Sequence, residues 1–546
     1  MRPKATLKIR YLVYNANSSK LQDSDLVRCF PDADSALEAL GEEEVKGAVL
    51  YDARLAGDNL PILPPDYEDY DLLHAGLCLG ADQTFQSLWL ASTNWLFLDP
   101  QPQQRCVSWK ATPALCWLRP GIVRALGGFD SAYQTATVQL MDLAYRLLIA
   151  GGRICHHPLT TDTPPHLNVL TEIPLVDELI FSLRHVGISA TLYTAFWLSL
   201  IIKRPWRVAR ALSSALRRYQ MVPPPDPQPN LQGKMHLLNQ KKRLRVDSIS
   251  VIIPTLDRYE YLPKAIKSLL DQTPQADEII VVDQTPAKKR RPEIYAEFTK
   301  YSVRVIYLDR AGQSGARNAG ILAAKGEWCL LFDDDSVAWD GLISHHIKAV
   351  ELSGASVSAG VSLAPWQTYE HIPPRIRYFH TSDVLDTGNC LVKRQALLNV
   401  KGLDPVFDHG PGGDMDLGTR LHLNGFEMIF NPYAIRTHYK ALKGGMRTYG
   451  AWWRHRTTFW GPFPPPTQIY TIQRFYPKRY WIPLYLQYYI KAKHLHNWLE
   501  YFWLWFLSPW RLRRAIREAT VLKNKISLGF SQPAPINIES NNNLSA

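Results

Sequence analysis

The stretch that decides the reading is LLFDDDSVAWDG, Leu330 to Gly341. An apolar run that begins with Trp328 and Cys329 ends abruptly in Asp333, Asp334 and Asp335. Such a run has the length and composition of a strand buried on both faces. Like charges repel, so three adjacent carboxylates at a strand end need either water or a cation. In an extended segment side chains alternate, which puts Asp333 and Asp335 on one side. Two carboxylates on one side suit a hard divalent ion such as Mg2+ or Mn2+, which commonly bridges them to substrate phosphates. The alternative is a solvated turn in which an Asp caps the next helix.

Working outward, apolar strand patterns alternate with helical ones. SVIIPT (Ser250 to Thr255), EIIVVD (Glu278 to Asp283), VRVIYL (Val303 to Leu308) and WCLLFD (Trp328 to Asp333) read as strands, and YLPKAIKSLLDQ (Tyr261 to Gln272) has apolar residues at helical spacing. This alternation predicts an α/β unit, a parallel sheet with helices on both faces. Ligands of such sheets sit beyond the carboxyl ends of the strands, where the three acids lie.

Taken in order and spacing, SVIIPTLDRYEYLPKAIKSLLDQ, EIIVVDQT and GQSGARNAGILAAKGEWCLLFDDDS resemble family 2 glycosyltransferases of the GT-A fold, over roughly residues 247–440. The resemblance implies a nucleotide-diphosphate sugar donor (UDP-, dTDP- or GDP-sugar) bound by Pro254, Thr255, Asp257, Asp283, Gly312, Arg317, Asn318, Asp333 and Asp334. It implies that Asp333 and Asp335 form the DxD element, with Asp335 the principal ligand of Mg2+ or Mn2+ and His438 a further ligand. From the residues alone, Arg317 also reads as a surface ion-pair residue, Asp283 as a turn former, and His438 as a surface or core histidine. The chain departs from the family in having Leu256-Asp257 after Pro-Thr, and Asp283-Gln284-Thr285 in place of Asp-Asp-Gly.

A second constellation is HGPGGDMDLGTRLHLNGF, His409 to Phe426. Its glycines permit close backbone approach to a ligand. A helix is predicted from near Asp414 to the Asn424-Gly425 pair. Asp414 and Asp416 then serve either as helix-terminal charges or as chemistry. The resemblance maps the family's catalytic base onto Asp414, with Gly413 in place of the usual Glu. A sugar hydroxyl is a poor nucleophile, and a positioned carboxylate takes its proton as the glycosidic bond forms. A single displacement inverts the anomeric carbon, and the acceptor would be a glycan or lipid-linked glycan.

The N-terminal part carries a fainter copy. Cys116 to Pro158 aligns with Cys390 to Pro432 without a gap. Gly128-Phe129-Asp130 falls on Gly402-Leu403-Asp404, Asp142-Leu143 on Asp416-Leu417, Arg146 on Arg420 and Gly151 on Gly425. Upstream, AVLYDARLAGDN (Ala48 to Asn59) resembles the acidic strand end with the acids mostly gone. Matching Asp52 to Asp333 puts Arg54 where Asp335 stands, and Leu140 falls where Asp414 stands. A site lacking its base and its metal carboxylate should not perform the transfer. We therefore expect a degenerate GT-A-like domain over 1–170, a helical, basic and Pro-rich linker over 171–246, and a catalytic GT-A domain over 247–445. An aromatic and basic helical extension over 446–528 and a disordered tail over 529–546 complete the chain.

Composition narrows the partners. The 546 residues carry a formal charge of +12. Eleven Lys or Arg against one acid, Asp226, lie between 203 and 245. The block reads either as a solvated linker or as a surface for anionic partners, including a membrane surface. No recognition motif supports nucleic acid. Val186 to Ile202 is uncharged but at the lower limit for a membrane span, so it reads as a buried or interfacial helix. YGAWWRHRTTFW (Tyr449 to Trp460) mixes aromatics and cations, as an acceptor platform or a structural cluster. Seven Cys without a CxxC pair, and no apolar leader at the N-terminus, suggest a cytoplasmic protein, peripheral on the inner face of the plasma membrane. The flanks fit synthesis of a cell-surface polysaccharide. Two other functions share these features: a sugar-phosphate nucleotidyltransferase, whose Gly-rich opening loop is missing from VIIPTLDR, and a non-catalytic glycan-binding scaffold.

Overall fold

Runs of β-branched and aliphatic residues become strands here wherever Gly, Pro or polar clusters bound them. The computed structural model describes residues 9–14, 27–42, 45, 47–52, 63–75, 95–98, 104–158, 173–227, 243–446, 461–491 and 498–525. The chain forms two compact units, residues 1–237 with 422–425, and residues 238–421 with 426–546. Arg54, the Tyr449–Trp460 segment and the tail lie outside the described residues.

The first unit contains strands β1 (Ile9–Tyr14), β2 (Val27–Phe30), β3 (Gly47–Asp52), β4 (Leu72–His74), β5 (Leu115–Leu118) and β6 (Ile154–His156). Helices α1 (Ala33–Glu42), α2 (Pro120–Ala125) and α3 (Ala136–Ile149) accompany them. The sheet order is β2-β1-β3-β5-β4-β6. Strand β3, GAVLYD, is buried at every residue, as an uninterrupted apolar central strand should be. Three further helices follow: α4 (Leu175–His185), α5 (Ile188–Ile202) and α6 (Pro205–Met221).

The second unit runs β7 (Ile249–Thr255), α7 (Leu262–Leu270), β8 (Glu278–Asp283), β9 (Val303–Tyr307), α8 (Gln313–Ala323), β10 (Trp328–Phe332), β11 (Ser336–Ala338), α9 (Leu342–Ser353), β12 (Val357–Leu363), β13 (His380–Thr381), β14 (Asn389–Lys393), α10 (Arg394–Asn399), α11 (Gly413–Leu423) and β15 (Met428–His438). Four C-terminal helices follow among the described residues: α12 (Pro466–Phe475), α13 (Trp481–Ile490), α14 (Trp498–Phe506) and α15 (Ser508–Lys525). The sheet order is β11-β15-β12-β14-β10-β7-β8-β9, with β13 paired to β15. Its core gathers Val251 and Ile253 of β7, Leu262, Ile266 and Leu269 of α7, and Trp328, Leu330 and Phe332 of β10.

The expected parallel sheet holds for β9, β8, β7 and β10. Beyond them β14 runs antiparallel to both β10 and β12, so the sheet is mixed. Apolar periodicity reports burial and not direction, which is why NCLVK gave no warning. Helix α8 lies close against β7, because a Cβ on Gly320 would collide with the Ile252 side chain. That close approach brings the polar face of α8 to the strand ends.

The two sheets share one plan. Strand for strand, β2-β1-β3-β5-β4-β6 reads as β8-β7-β10-β14-β12-β15, with the same parallel and antiparallel pairings. Registers coincide as well. Leu50 faces Cys116 as Leu331 faces Cys390, and His74 faces His156 as Ala359 faces Phe430. Cys116 and Cys390, and likewise His156 and Phe430, stand 274 residues apart, the offset of the gapless alignment. One polar clamp recurs too. Arg146 bonds Asp142 and the carbonyls of Leu126 and Gly128. Arg420 bonds Asp416 and the carbonyls of Val400 and Gly402.

Candidate active site

Strands β7 and β10 end side by side and release their polar residues into one cleft. The cleft measures about 380 Å³, and Thr255, Arg258, Arg317, Asp333, Asp334, Asp335, Asp386, Thr387, Asp414, Arg436 and His438 are among its lining residues.

The three acids have three different environments. Asp334 turns toward β7, where Thr255 Oγ1 donates to it at 2.8 Å and Arg258 Nη1 at 2.9 Å. Asp333 accepts from Arg317 Nη2 at 2.6 Å and from Arg436 Nη1 at 2.8 Å. Burial opposes its ionisation, but the Arg436 and Arg317 guanidiniums outweigh that and hold it below the usual carboxylate range. Asp335 uses Oδ2 to accept from the Ala441 amide at 2.9 Å. Its Oδ1 is buried and accepts no hydrogen bond. The His438 ring Nε2 lies 3.3 Å from that oxygen.

His438 arrives there through the sheet. Pairing of β11 with β15 sets Ser336 opposite His438, one residue past Asp335. Asp333, Asp335 and His438 each offer one donor atom within 4.8 Å of the others, and no second such trio exists among the described residues. Two carboxylate oxygens and an imidazole nitrogen suit a divalent cation of the Mg2+ or Mn2+ kind, with oxygen the harder and dominant ligand. The Oδ1 of Asp335 fits that use, since it is buried and faces the His438 nitrogen, itself a candidate ligand.

Asp414 occupies the first turn of α11, where its charge complements the helix N-terminus. Thr387 Oγ1 donates to its Oδ1 at 2.6 Å. The protein mass around the cleft disfavours its charge and Asp386 adds repulsion, pushing the group up toward about 6. The side chain is nevertheless open to the cleft, and water there screens part of the effect. Its ionisation falls between the ordinary carboxylate range and that figure. Asp416, one helical step away, is fully buried and paired with Arg420 and Arg474, a structural clamp rather than a cleft residue.

Four residues expected at the donor pocket do not line the cleft. Asp283 is fully buried and accepts from the hydroxyls of Tyr259 and Tyr295, at 2.7 and 2.9 Å. Its neighbour Gln284 lines the cleft instead and accepts from the Gly312 amide at 2.6 Å. Asn318 spends its side-chain amide on both backbone groups of Leu403, each at 2.8 Å. Asp257 sits at φ +56° with its carboxylate 3.4 Å from Lys289. Pro254, Thr255, Arg317, Asp333 and Asp334 do line it.

Sequence reasoning passed over Arg258, Asp386, Thr387 and Arg436. Arg436 is 2% exposed and bridges Asp333 to Asp386, with Nη2 2.9 Å from Asp386 Oδ2. The residue before β14 must be small, because a Cβ on Gly388 would strike both Asp333 and the Arg436 guanidinium. The signal available was the polar run DTGN immediately before an apolar strand.

Residues 250–410 match the family model for glycosyl transferase family 2. The second unit carries a family 2 glycosyltransferase domain. Its sheet is a mixed α/β sheet with the acidic cluster at the strand ends. The succinoglycan biosynthesis protein ExoO of Rhizobium meliloti is 31% identical over 115 residues, which cover 21% of this chain and 33% of that protein. Glycosyltransferase GlyG of Streptococcus pneumoniae is 32% identical over 115 residues, 20% of this chain and 38% of that protein. The chain thus spans about a third of the length of these curated relatives. Among solved structures, the mannosyltransferase PcManGT of Pyrobaculum calidifontis, in complex with GDP-Man and Mn2+, is 14% identical with a TM-score of 0.35. That alignment covers 61% of this chain and 96% of that one.

Proposed function

We propose that the glycosyltransferase domain transfers a sugar, with inversion, from a nucleoside diphosphate donor to a hydroxyl of a glycan or lipid-linked glycan. The observation that supports it best is one cleft bearing an acidic cation trio, Asp333, Asp335 and His438, together with a helix-terminal carboxylate, Asp414. A divalent cation, Mg2+ or Mn2+, held by that trio would neutralise charge gathering on the departing diphosphate.

The remaining chemistry belongs to the chain. Asp414 accepts the proton of the acceptor hydroxyl while that oxygen bonds the anomeric carbon and the bond to the diphosphate breaks. Thr387 orients the carboxylate by its hydrogen bond. Asp386, the neighbouring acid, is held by Arg436 and by the Gly388 amide, so Asp414 is the base that faces the acceptor. Arg258 and Arg317 line the same cleft, where they offset the charge of the acidic triplet. The relative from Rhizobium is named for succinoglycan biosynthesis, and a cell-surface polysaccharide is the context we propose for this protein also.

The first unit is read as a non-catalytic copy of the GT-A plan. It keeps the strand order, the register and the Arg146 clamp, but has Leu140 at the position of Asp414. Among its described residues no cation trio exists.

A panel of nucleotide sugars assayed with Mg2+ or Mn2+ tests the reading. Release of nucleoside diphosphate, lost in Asp335→Ala and Asp414→Ala, is the expected result. Release of pyrophosphate from a nucleoside triphosphate and a sugar phosphate would instead indicate a nucleotidyltransferase. Glycan binding without turnover of any donor would indicate a scaffold.

A further inference from the structure

Helix α5 is apolar all round. Its fifteen residues, ISATLYTAFWLSLII, carry no charge. One side is buried through Ala190, Thr191, Thr194, Ala195 and Leu198, and the helix contacts α4 and α6. The other side is open. Ile188, Leu192, Phe196 and Leu200 are 57, 48, 57 and 53% exposed. Their four-residue spacing makes them one ridge. A helix apolar all round belongs in a core or against lipid. At about 1.5 Å per residue α5 is far shorter than the roughly 30 Å hydrocarbon layer. No helix among the described residues is long and apolar enough to cross a membrane. What covers the ridge must therefore be a surface on which it lies.

Charge selects that surface. The helix ends at Lys203, which adopts the left-handed conformation that turns the chain into α6. Lys203, Arg204, Arg207, Arg210 and Arg217 are all exposed, and no described acidic residue pairs with any of them. Residues 186–221 contain no Asp or Glu. Trp206, 64% exposed, stands among the cations at the end of the ridge. Tryptophan favours the level of lipid headgroups, with its ring in the apolar boundary and its N–H in water. A second copy of this chain would bring the same cations face to face, so self-association is disfavoured.

We propose that the α5–α6 hairpin is a docking surface for an anionic lipid bilayer. The apolar ridge enters the acyl boundary while Lys203, Arg204, Arg207 and Arg210 meet the phosphates. Membrane attachment then resides in the non-catalytic unit, at a surface distinct from the glycosyltransferase cleft.

The test is co-sedimentation of the full chain with vesicles of phosphatidylcholine alone or of an equimolar phosphatidylcholine–phosphatidylglycerol mixture. Binding to the mixture, weakened by added salt, is expected. Each cation near an anionic surface contributes about fivefold, so the combined Lys203→Gln, Arg204→Gln, Arg207→Gln, Arg210→Gln variant should bind at least about a hundredfold more weakly. Leu192→Ser with Phe196→Ser should weaken binding by an order of magnitude while leaving the salt dependence in place. All six positions are exposed, and an unchanged thermal melt confirms folding. The proposal is overturned by unchanged affinity in the fourfold variant or by equal binding to both vesicle types. It is also overturned if the double variant dissociates an oligomer in the absence of lipid. Vesicle binding requires no donor, so this result and the transfer reading fail independently.

Discussion

The neighbours of Asp414 make opposite claims about pH, and two substitutions separate them. Thr387 donates to the carboxylate at 2.6 Å and stabilises only its ionised form, whereas Asp386 repels that form. Arg317 also favours ionisation and Asp333 opposes it, and both stay in place in either variant. A hydrogen bond to a charged group contributes about 1.5–3 kcal/mol, and about 1.4 kcal/mol corresponds to one pH unit. Cleft water brings the effect to the lower end of that range, so Thr387→Val should raise the Asp414 pKa by about one unit. Asp386→Asn removes the like charge and should lower it toward the ordinary carboxylate range. The sign for activity follows from the role. A general base works only when ionised, so kcat/KM falls about tenfold for each pH unit below its pKa. The acidic limb should lie below about pH 6 in the parent enzyme. It should move to higher pH in Thr387→Val and to lower pH in Asp386→Asn. Nucleoside diphosphate release at subsaturating substrate, followed across pH, measures this directly, because kcat/KM reports groups of the free enzyme. Asp414→Asn should remove the limb together with about 10²–10⁴-fold of the rate. An unmoved limb in Thr387→Val, or full turnover in Asp414→Asn, would refute the assignment of the base.

Three other outcomes follow from the same cleft. Asp335→Asn should abolish Mn2+ binding measured by calorimetry or by electron paramagnetic resonance, since it removes the anionic charge at Asp335 Oδ1, the buried oxygen that faces His438. Arg436→Met leaves Asp386 without its guanidinium partner and Asp333 with Arg317 alone. Breaking a buried pair costs about 3–5 kcal/mol, and the second unit should unfold at distinctly lower denaturant. Gly388→Ala should cut turnover severely and lower the stability of the second unit as well, because the added methyl displaces Asp333 and the Arg436 guanidinium from their contact. A crystal structure of that variant with the pair undisturbed would contradict this.

Much of the fold could be read locally. The strands SVIIPT and EIIVVD and the amphipathic α7 follow from apolar spacing, and the abrupt change from WCLLF to three acids marked the strand end that faces the cleft. The gapless N-terminal repeat was visible too, and both sheets show matching registers across it. The antiparallel course of β14 was not visible, because the same alternation of burial serves either direction. At the site, Asp333, Asp335, His438 and Asp414 were named from motif positions. Asp283 and Asn318 were expected to contact the donor, yet their polar groups are taken up by Tyr259, Tyr295 and Leu403. A motif specifies a residue type and a place along the chain. It does not say which way a side chain turns once tyrosine hydroxyls compete for it.

The sequence by itself determined that an acidic strand end and a Gly-rich loop before a helix were present. Each is a pattern of neighbours along the chain, and short-range geometry turns such patterns into elements. Only the tertiary structure decided how the charges pair. Arg436 meets Asp333 and Asp386 across 103 and 50 residues of chain, and Thr255 meets Asp334 across 79. A charge removed from water must find a counter-charge or a hydrogen bond wherever the fold brings one. Which carboxylate is left with an unclaimed oxygen for a cation is set by that competition in space.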